Sequence, residues 1–223
     1  MIIAIDGPSG AGKSTVARAV AKKLGFSCLD TGAMYRAIAW RALHDGISLD
    51  DAEALGNLAC TCLIDFGHVE GEPVPKRVFI DGQDITDGIR TAEIDRSVSM
   101  VSAVPAVRAA LQEQQRRIGA KGNYVVEGRD IGTEVFPDAK LKVFLTASPE
   151  ERALRRVRQN TNRGVGSTDY NEVLADIIRR DELDSQRETA PLRAADDAIY
   201  IDSTSKSIED IIATICDQAQ ARM

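Results

Sequence analysis

Residues 7–14 read Gly7-Pro8-Ser9-Gly10-Ala11-Gly12-Lys13-Ser14, the spacing GxxxxGK[ST], and Thr15 continues the run. Glycines at these positions let consecutive backbone N–H groups converge on phosphate oxygens. Lys13 is long enough to reach β and γ phosphates, and the Ser14 hydroxyl is a hard oxygen ligand suited to Mg²⁺. A turn that only reversed the chain would need neither the lysine nor the hydroxyl. The expected chemistry is therefore a grip on a nucleotide triphosphate. The grip alone names no reaction, because switches, motors and kinases all use it.

Three further stretches carry groups for a second anion. Asp30-Thr31-Gly32-Ala33-Met34-Tyr35-Arg36 follows a short apolar run, which places Arg36 on the first turns of the next helix. Tyr124-Val125-Val126-Glu127-Gly128-Arg129-Asp130 ends a second apolar run in acid, glycine, arginine, acid. Glu127 falls where P-loop enzymes place a carboxylate near Mg²⁺, and Arg129 and Asp130 emerge at the carboxyl end of the strand. The third stretch is arginine-rich: Arg152, Arg155, Arg156, Arg158 and Arg163 precede Gly164-Val165-Gly166-Ser167, and Arg179, Arg180, Asp181, Asp184 and Arg187 follow it. Positions 180, 184 and 187 are spaced i, i+4, i+7 and would share one helix face. Such spacing usually makes a solvated, salt-bridged face. In a chain that is acidic overall, arginines gathered after a phosphate loop also suit a transferring phosphoryl group under a closing lid.

The elements that must hold these groups are legible as an alternation. Ile2–Ile5, Tyr124–Val126, Leu141–Leu145 and Ile199–Ile201 are short apolar runs of the kind found in strands covered on both faces. Helical patterns occupy Ser14–Leu24, Ala33–Asp45, Pro149–Arg158, Tyr170–Arg187 and Ser207–Arg222. Strand alternating with helix predicts a doubly wound α/β sheet. From Ile47 to Arg90 the alternation breaks: Gly67, Gly71, Pro73, Pro75 and Gly82 surround the β-like Val78-Phe79-Ile80, and no long helical period follows Leu63. This segment is expected to be an inserted subdomain within a single domain spanning 1–223.

Bulk properties narrow the partners. Twenty-eight Lys and Arg against 34 Asp and Glu give a net charge of -6, which offers no general attraction to nucleic acid or an acidic membrane. No run approaches the roughly 20 apolar residues of a membrane span, and Met1 leads directly into Ile2-Ile3-Ala4-Ile5, so a soluble cytosolic protein is expected, with a leaning to monomer. Cys28, Cys60, Cys62 and Cys216 lack CxxC spacing and have only His44 and His68 as further zinc ligands; they are expected to be buried thiols.

Taken together, Asp6–Thr15 (DGPSGAGKST), Leu29–Ala37 (LDTGAMYRA), Asp81–Thr91 (DGQDITDGIRT), Val104–Arg108 (VPAVR), Glu127–Ala139 (EGRDIGTEVFPDA) and Arg180–Leu192 (RDELDSQRETAPL) resemble the bacterial cytidylate kinases. The likeness runs from Ile3 to Ala219, and GRDIGT and DTGAMYR are more specific than the phosphate loop. It implies a three-layer P-loop kinase fold with a central parallel sheet, a nucleotide-binding insertion at 47–90 and an arginine-rich lid at 152–169. It implies transfer of the γ-phosphoryl group of ATP, with Mg²⁺, to CMP or dCMP. By that resemblance residues 7–15 bind the donor, with Ser14 the metal ligand. Arg36, Arg129 and Arg187 hold the acceptor phosphate, and Thr31, Ser99, Arg108 and Asp130 lie around cytosine. Arg180 and Asp184 reach the sugar hydroxyls, Arg156 moves in to stabilise the transferring group beside Lys13 and Arg129, and Asp202-Ser203-Thr204 sits near adenine. Two other readings share the loop: a shikimate- or gluconate-type small-molecule kinase, which would lack the 47–90 insertion, and a GTP-driven switch, which would carry an NKxD guanine motif that this sequence lacks.

Overall fold

The computed structural model describes residues 1–69 and 72–223; Gly71, one of the breakers of the insertion, lies outside the described residues. In chain order the elements are β1 (Ile2–Asp6), α1 (Lys13–Leu24), β2 (Ser27–Asp30), α2 (Thr31–His44), α3 (Ala52–Thr61), β3 (Ile64–Gly67), β4 (Arg77–Ile80), β5 (Gln83–Asp84), α4 (Ala92–Ala103), α5 (Pro105–Gly119), β6 (Tyr124–Gly128), β7 (Leu141–Thr146), α6 (Pro149–Arg163), α7 (Tyr170–Gln186), β8 (Ile199–Asp202) and α8 (Ile208–Gln220). Single 3₁₀ and π turns occupy Gly88–Arg90 and Ile131–Val135. The chain divides into two compact units, one of residues 1–29 and 122–223, the other of residues 30–121. The 47–90 segment lies inside the second unit.

The first unit is built on a sheet of order β2-β6-β1-β7-β8, in which β1 is parallel to β6 and β7, and β7 to β8. Ile3, Ala4, Ile5, Val125, Val126 and Leu145 are fully buried, which is why these strands read as unbroken apolar runs rather than as an alternation. Helices α1 and α8 pack on each other; α1 also lies against β6 and α8 against β7. Val16 and Val20 of α1 are buried, and Gly25 ends the helix in the left-handed conformation. Helices α6 and α7 form a satellite core of Ala153, Val173 and Ile177.

The second unit holds the antiparallel sheet β3-β4-β5 and helices α2 to α5. Two of its helices, α4 and α5, fall after the insertion in a stretch where the sequence reading sets out no element. Thr91 caps α4 by accepting from the Ile94 N–H, and Pro105 opens α5, so both begin at recognisable signals. Cys28, Cys62 and Cys216 are buried as expected, but Cys60 is exposed. Its position near the end of the short helix α3, next to the half-turn that leads into β3, turns it outward while Leu55 and Ala59 take the buried face.

Candidate active site

β1 ends at Asp6 and the next residue, Gly7, has φ +148°; a Cβ there would fall 1.9 Å from the Leu145 carbonyl oxygen of β7. Only glycine lets the loop leave the sheet along that path. Gly10 and Gly12 also have positive φ (+80° and +96°), so the loop curls and α1 starts with exposed N–H groups and no side-chain cap. An unspent helix N-terminus is an anion seat.

The loop carbonyls are turned the other way, onto cations. Lys13 Nζ donates to the Pro8 carbonyl at 2.8 Å. Arg152, only 3% exposed, donates to the Ser9 carbonyl at 3.1 Å and the Ala147 carbonyl at 2.9 Å, and makes a two-pronged pair with Asp181 at 2.6 and 3.1 Å. Arg155 donates to the Ser203 carbonyl at 2.7 Å and hydroxyl at 3.0 Å and to the Ala11 carbonyl at 3.4 Å; Arg156 donates to the Ser9 hydroxyl at 3.0 Å. Three arginines of α6 thus hold the outer side of the loop, leaving its N–H groups to the inner side. Arg152 and Arg155 are structural supports here. This corrects the reading of the cluster as a set aimed at the phosphoryl group, since helical spacing cannot tell which turn of an arginine ladder meets backbone. Arg158 and Arg163 are exposed.

Ser203 belongs to the Asp202-Ser203-Thr204 turn. Its N–H and hydroxyl both donate to the Thr146 carbonyl at 2.8 Å, and the hydroxyl also reaches the Ala11 carbonyl at 3.2 Å. That turn is therefore fastened to the loop from the β8 side.

At the first turn of α1 the Ser14 hydroxyl donates to Glu127 Oε2 at 2.8 Å, while Ser14 and Thr15 remain exposed. A hydroxyl beside a buried carboxylate at the mouth of a phosphate loop fits a hard divalent cation that takes its other oxygens from phosphates and water. Burial first, and then the Arg129 charge, push the Lys13 ammonium well below its ordinary pKa; Glu127 and Asp6 pull the other way.

Beyond β6, Arg129 Nε donates to Asp184 Oδ2 at 2.9 Å and Arg187 lies 3.8 Å from the other Asp184 oxygen. Burial of the Asp184 carboxyl would raise its pKa, but Arg129, Arg180 and Arg187 outweigh this and hold it below the usual carboxylate range. Arg129, Arg180, Asp184 and Arg187 thus form one cluster, with the charge of Arg180 also felt at Lys13. The shared helix face stops short of Arg187: α7 ends at Gln186, and Arg187 is extended, donating to the Ala190 carbonyl at 2.7 Å. Asp130 is buried just before the π turn.

The remaining expected site residues lie in the second unit. Asp30 accepts from the Ala33 N–H at 3.0 Å and starts α2, whose first residue is the buried Thr31. Arg36 is ion-paired with Asp95 of α4. Arg108, 2% exposed, donates to the Ser102 carbonyl at 3.2 Å, and its guanidinium lies 5.6 Å from the centre of the Tyr35 ring. Ser99, half-buried on α4, accepts from the Ser102 hydroxyl through its carbonyl.

One further buried group lies just outside the GxxxxGK[ST] motif of the sequence. Asp6 is 5% exposed and accepts from the Ile131 N–H at 2.8 Å and the Gly132 N–H at 2.7 Å. Burial, with a smaller push from Asp130, raises its pKa from 3.8 to about 6 against these two bonds and Lys13. The available signal was an acid closing an apolar strand, since a buried carboxylate must find partners.

Over residues 3–221 the chain matches the family described as cytidylate kinase. The chain belongs to the cytidylate kinase family. It is 49% identical over 222 residues to a bifunctional pantoate ligase/cytidylate kinase of Nostoc sp., covering 100% of this chain and 42% of that protein. It is 47% identical over 213 residues to a cytidylate kinase of Exiguobacterium sp., covering 96% and 93%, and 49% identical over 215 residues to one of Carboxydothermus hydrogenoformans, covering 96% and 95%. The chain therefore spans about two-fifths of the length of the bifunctional relative and nearly all of the other two. In fold it is similar to an uncharacterised protein of Eubacterium ventriosum, with TM-score 0.53 and 12% identity over 100% of this chain and 99% of that one. Among the described residues no helix is long and apolar enough to cross a membrane.

Proposed function

We propose that the chain transfers the γ-phosphoryl group of ATP to CMP or dCMP, giving ADP and CDP or dCDP. The observation that carries this reading is the cluster of Arg129, Arg180 and Arg187 around Asp184, in the same unit as a complete phosphate loop, in a cytidylate kinase family member. A second set of arginines for a second phosphate is what separates a two-substrate kinase from a nucleotide switch.

In this reading residues 7–15 bind the donor triphosphate through their N–H groups. Lys13 gives up the Pro8 carbonyl for phosphate oxygens, where the added negative charge favours its ammonium form. Ser14 and Glu127 would hold Mg²⁺, which when bound neutralises charge on the β and γ oxygens. The acceptor phosphate competes with Asp184 for Arg129 and Arg187. Asp184, once released, and Arg180 turn to the sugar hydroxyls. Within the second unit, Thr31, Ser99 and Arg108 are the side chains that the resemblance assigns to the base. Arg156, half-buried and donating to the Ser9 hydroxyl, swings toward the transferring group, and the Asp202-Ser203-Thr204 turn borders the adenine. Catalysis then consists of positioning and charge neutralisation, with water kept away from the γ-phosphorus by closure of the lid at 152–169.

ADP release measured with ATP and each nucleoside monophosphate, shikimate or gluconate as acceptor tests the proposal. CMP and dCMP should raise turnover most. Stimulation by a sugar acid, or release independent of any acceptor, would replace this reading with a small-molecule kinase or a nucleotide switch.

A further inference from the structure

The residue just before the phosphate loop is an acid at the end of an otherwise apolar strand, and no role in gripping phosphate accounts for it. Its carboxylate faces the segment that leaves β6. Asp6 is opposite Gly128 in the sheet register, and Arg129 and Asp130 come next. The chain then enters the π turn at Ile131–Val135, whose opening N–H groups have no partner within the turn. Asp6 takes both, one on each oxygen, at 2.8 Å from Ile131 and 2.7 Å from Gly132. The approach is close: a Cβ on Gly132 would stand 3.4 Å from Asp6 Oδ2 and 3.1 Å from the stem of Lys142.

These bonds tie the start of the loop that binds one phosphate to the two residues that lead into the other cluster. Arg129 leaves the chain two residues before Ile131 and reaches Asp184 at 2.9 Å. We propose that Asp6 is a positioning residue, whose two-oxygen bridge to Ile131 and Gly132 sets the Arg129–Asp130 backbone in register with the phosphate loop, so that acceptor and donor phosphates meet in line. Its kinetic consequence rests on the phosphoryl-transfer reading given above; the bridge itself does not. The bridge needs both oxygens as acceptors, so protonation of Asp6 converts one into a donor facing an N–H and releases that bond. The charged groups facing it are Lys13 from α1 and Asp130 from the turn, with the Lys142 stem from β7 beside Gly132.

Asp6→Asn keeps the shape and replaces one acceptor by an amide donor. The expected result is at least a tenfold fall in kcat for CMP, with the KM for ATP within twofold, and about tenfold faster amide exchange at residues 131 and 132. The wild-type kcat should also fall as pH drops through about 6, and the variant should lose that limb; the substrate phosphate ionises in the same range but does so identically with both proteins. Gly132→Ala, which crowds the bridge and keeps the carboxylate, should lower kcat and retain the limb, and it decides the question if Asp6→Asn does not fold. Wild-type exchange at 131 and 132 with undiminished kcat in Asp6→Asn overturns the proposal, as does an unchanged acid limb. If the wild-type chain phosphorylates no nucleoside monophosphate, the functional reading fails, and the exchange measurement still decides the bridge.

Discussion

Replacing Arg152 by methionine removes a guanidinium that is 3% exposed and leaves three acceptors behind: the Ser9 and Ala147 carbonyls and the Asp181 carboxylate. Breaking a buried ion pair from one side costs about 3–5 kcal/mol, because the partner charge is stranded. Asp181 keeps a quarter of its side chain in water, so the low end applies, about 3 kcal/mol. For a chain of this size that corresponds to a fall in melting temperature of about 6–12 °C. The loop should suffer separately: with the Ser9 carbonyl released, its N–H groups are no longer held inward, and a loss of about 1.4 kcal/mol in donor binding would raise the Kd for ATP about tenfold. Thermal melts with and without ATP, followed by an ATP titration, measure both. Adding Asp181→Asn to the variant should restore part of the melting temperature, by removing the stranded charge, and little of the ATP affinity. A drop below about 2 °C with a large loss of kcat would refute the reasoning and make Arg152 a group that touches the phosphoryl in transfer.

Lys13→Ala should lower kcat by orders of magnitude and leave the melting temperature within a few degrees, because the lysine it removes is a buried cation that burial already disfavours; near-normal turnover would end its assigned role. Arg129→Ala should impair CMP phosphorylation while ATP affinity stays within about threefold, and a selective loss of ATP affinity in a titration would show that Arg129 serves the donor. Asp6 makes a stability prediction of its own. Its folded pKa, about 6, lies above the unfolded 3.8, so the folded state holds this proton more tightly and the group's contribution to stability is full below pH 3.8 and lost as pH rises to about 6. The displacement corresponds to about 3 kcal/mol. Urea melts at pH 4.5 and 7.5 should therefore show Asp6→Asn gaining on the wild type as pH rises, and parallel pH dependences would refute the assignment.

The phosphate loop was legible because its chemistry is local. Strand, glycine turn and helix follow within residues 2–24, and the N–H groups suited to an anion come from neighbouring residues. The apolar runs of β1, β6, β7 and β8 were legible for a related reason, since strands buried on both faces leave no polar alternation to misread. The resemblance carried Arg129 and Arg187 to the acceptor phosphate and Asp184 to the sugar hydroxyls, and the three side chains are neighbours in the structure.

Other features depended on partners distant in sequence. Arg152, Arg155 and Arg156 look alike on a helix; packing α6 behind the loop is what commits the first two to the Ser9 and Ala11 carbonyls, more than 140 residues earlier. The buried Asp6 finds its N–H partners 125 and 126 residues away, and only the β1–β6 register brings them within reach. Arg187 looked like a third member of a helical face because the i+7 spacing holds on paper, yet α7 ends one residue before it. The sequence by itself thus determined which backbone could bind phosphate, because that required only adjacent residues. Tertiary structure decided which charges support that backbone and which are left for a substrate, because a buried charge is assigned by whatever partner the fold places beside it.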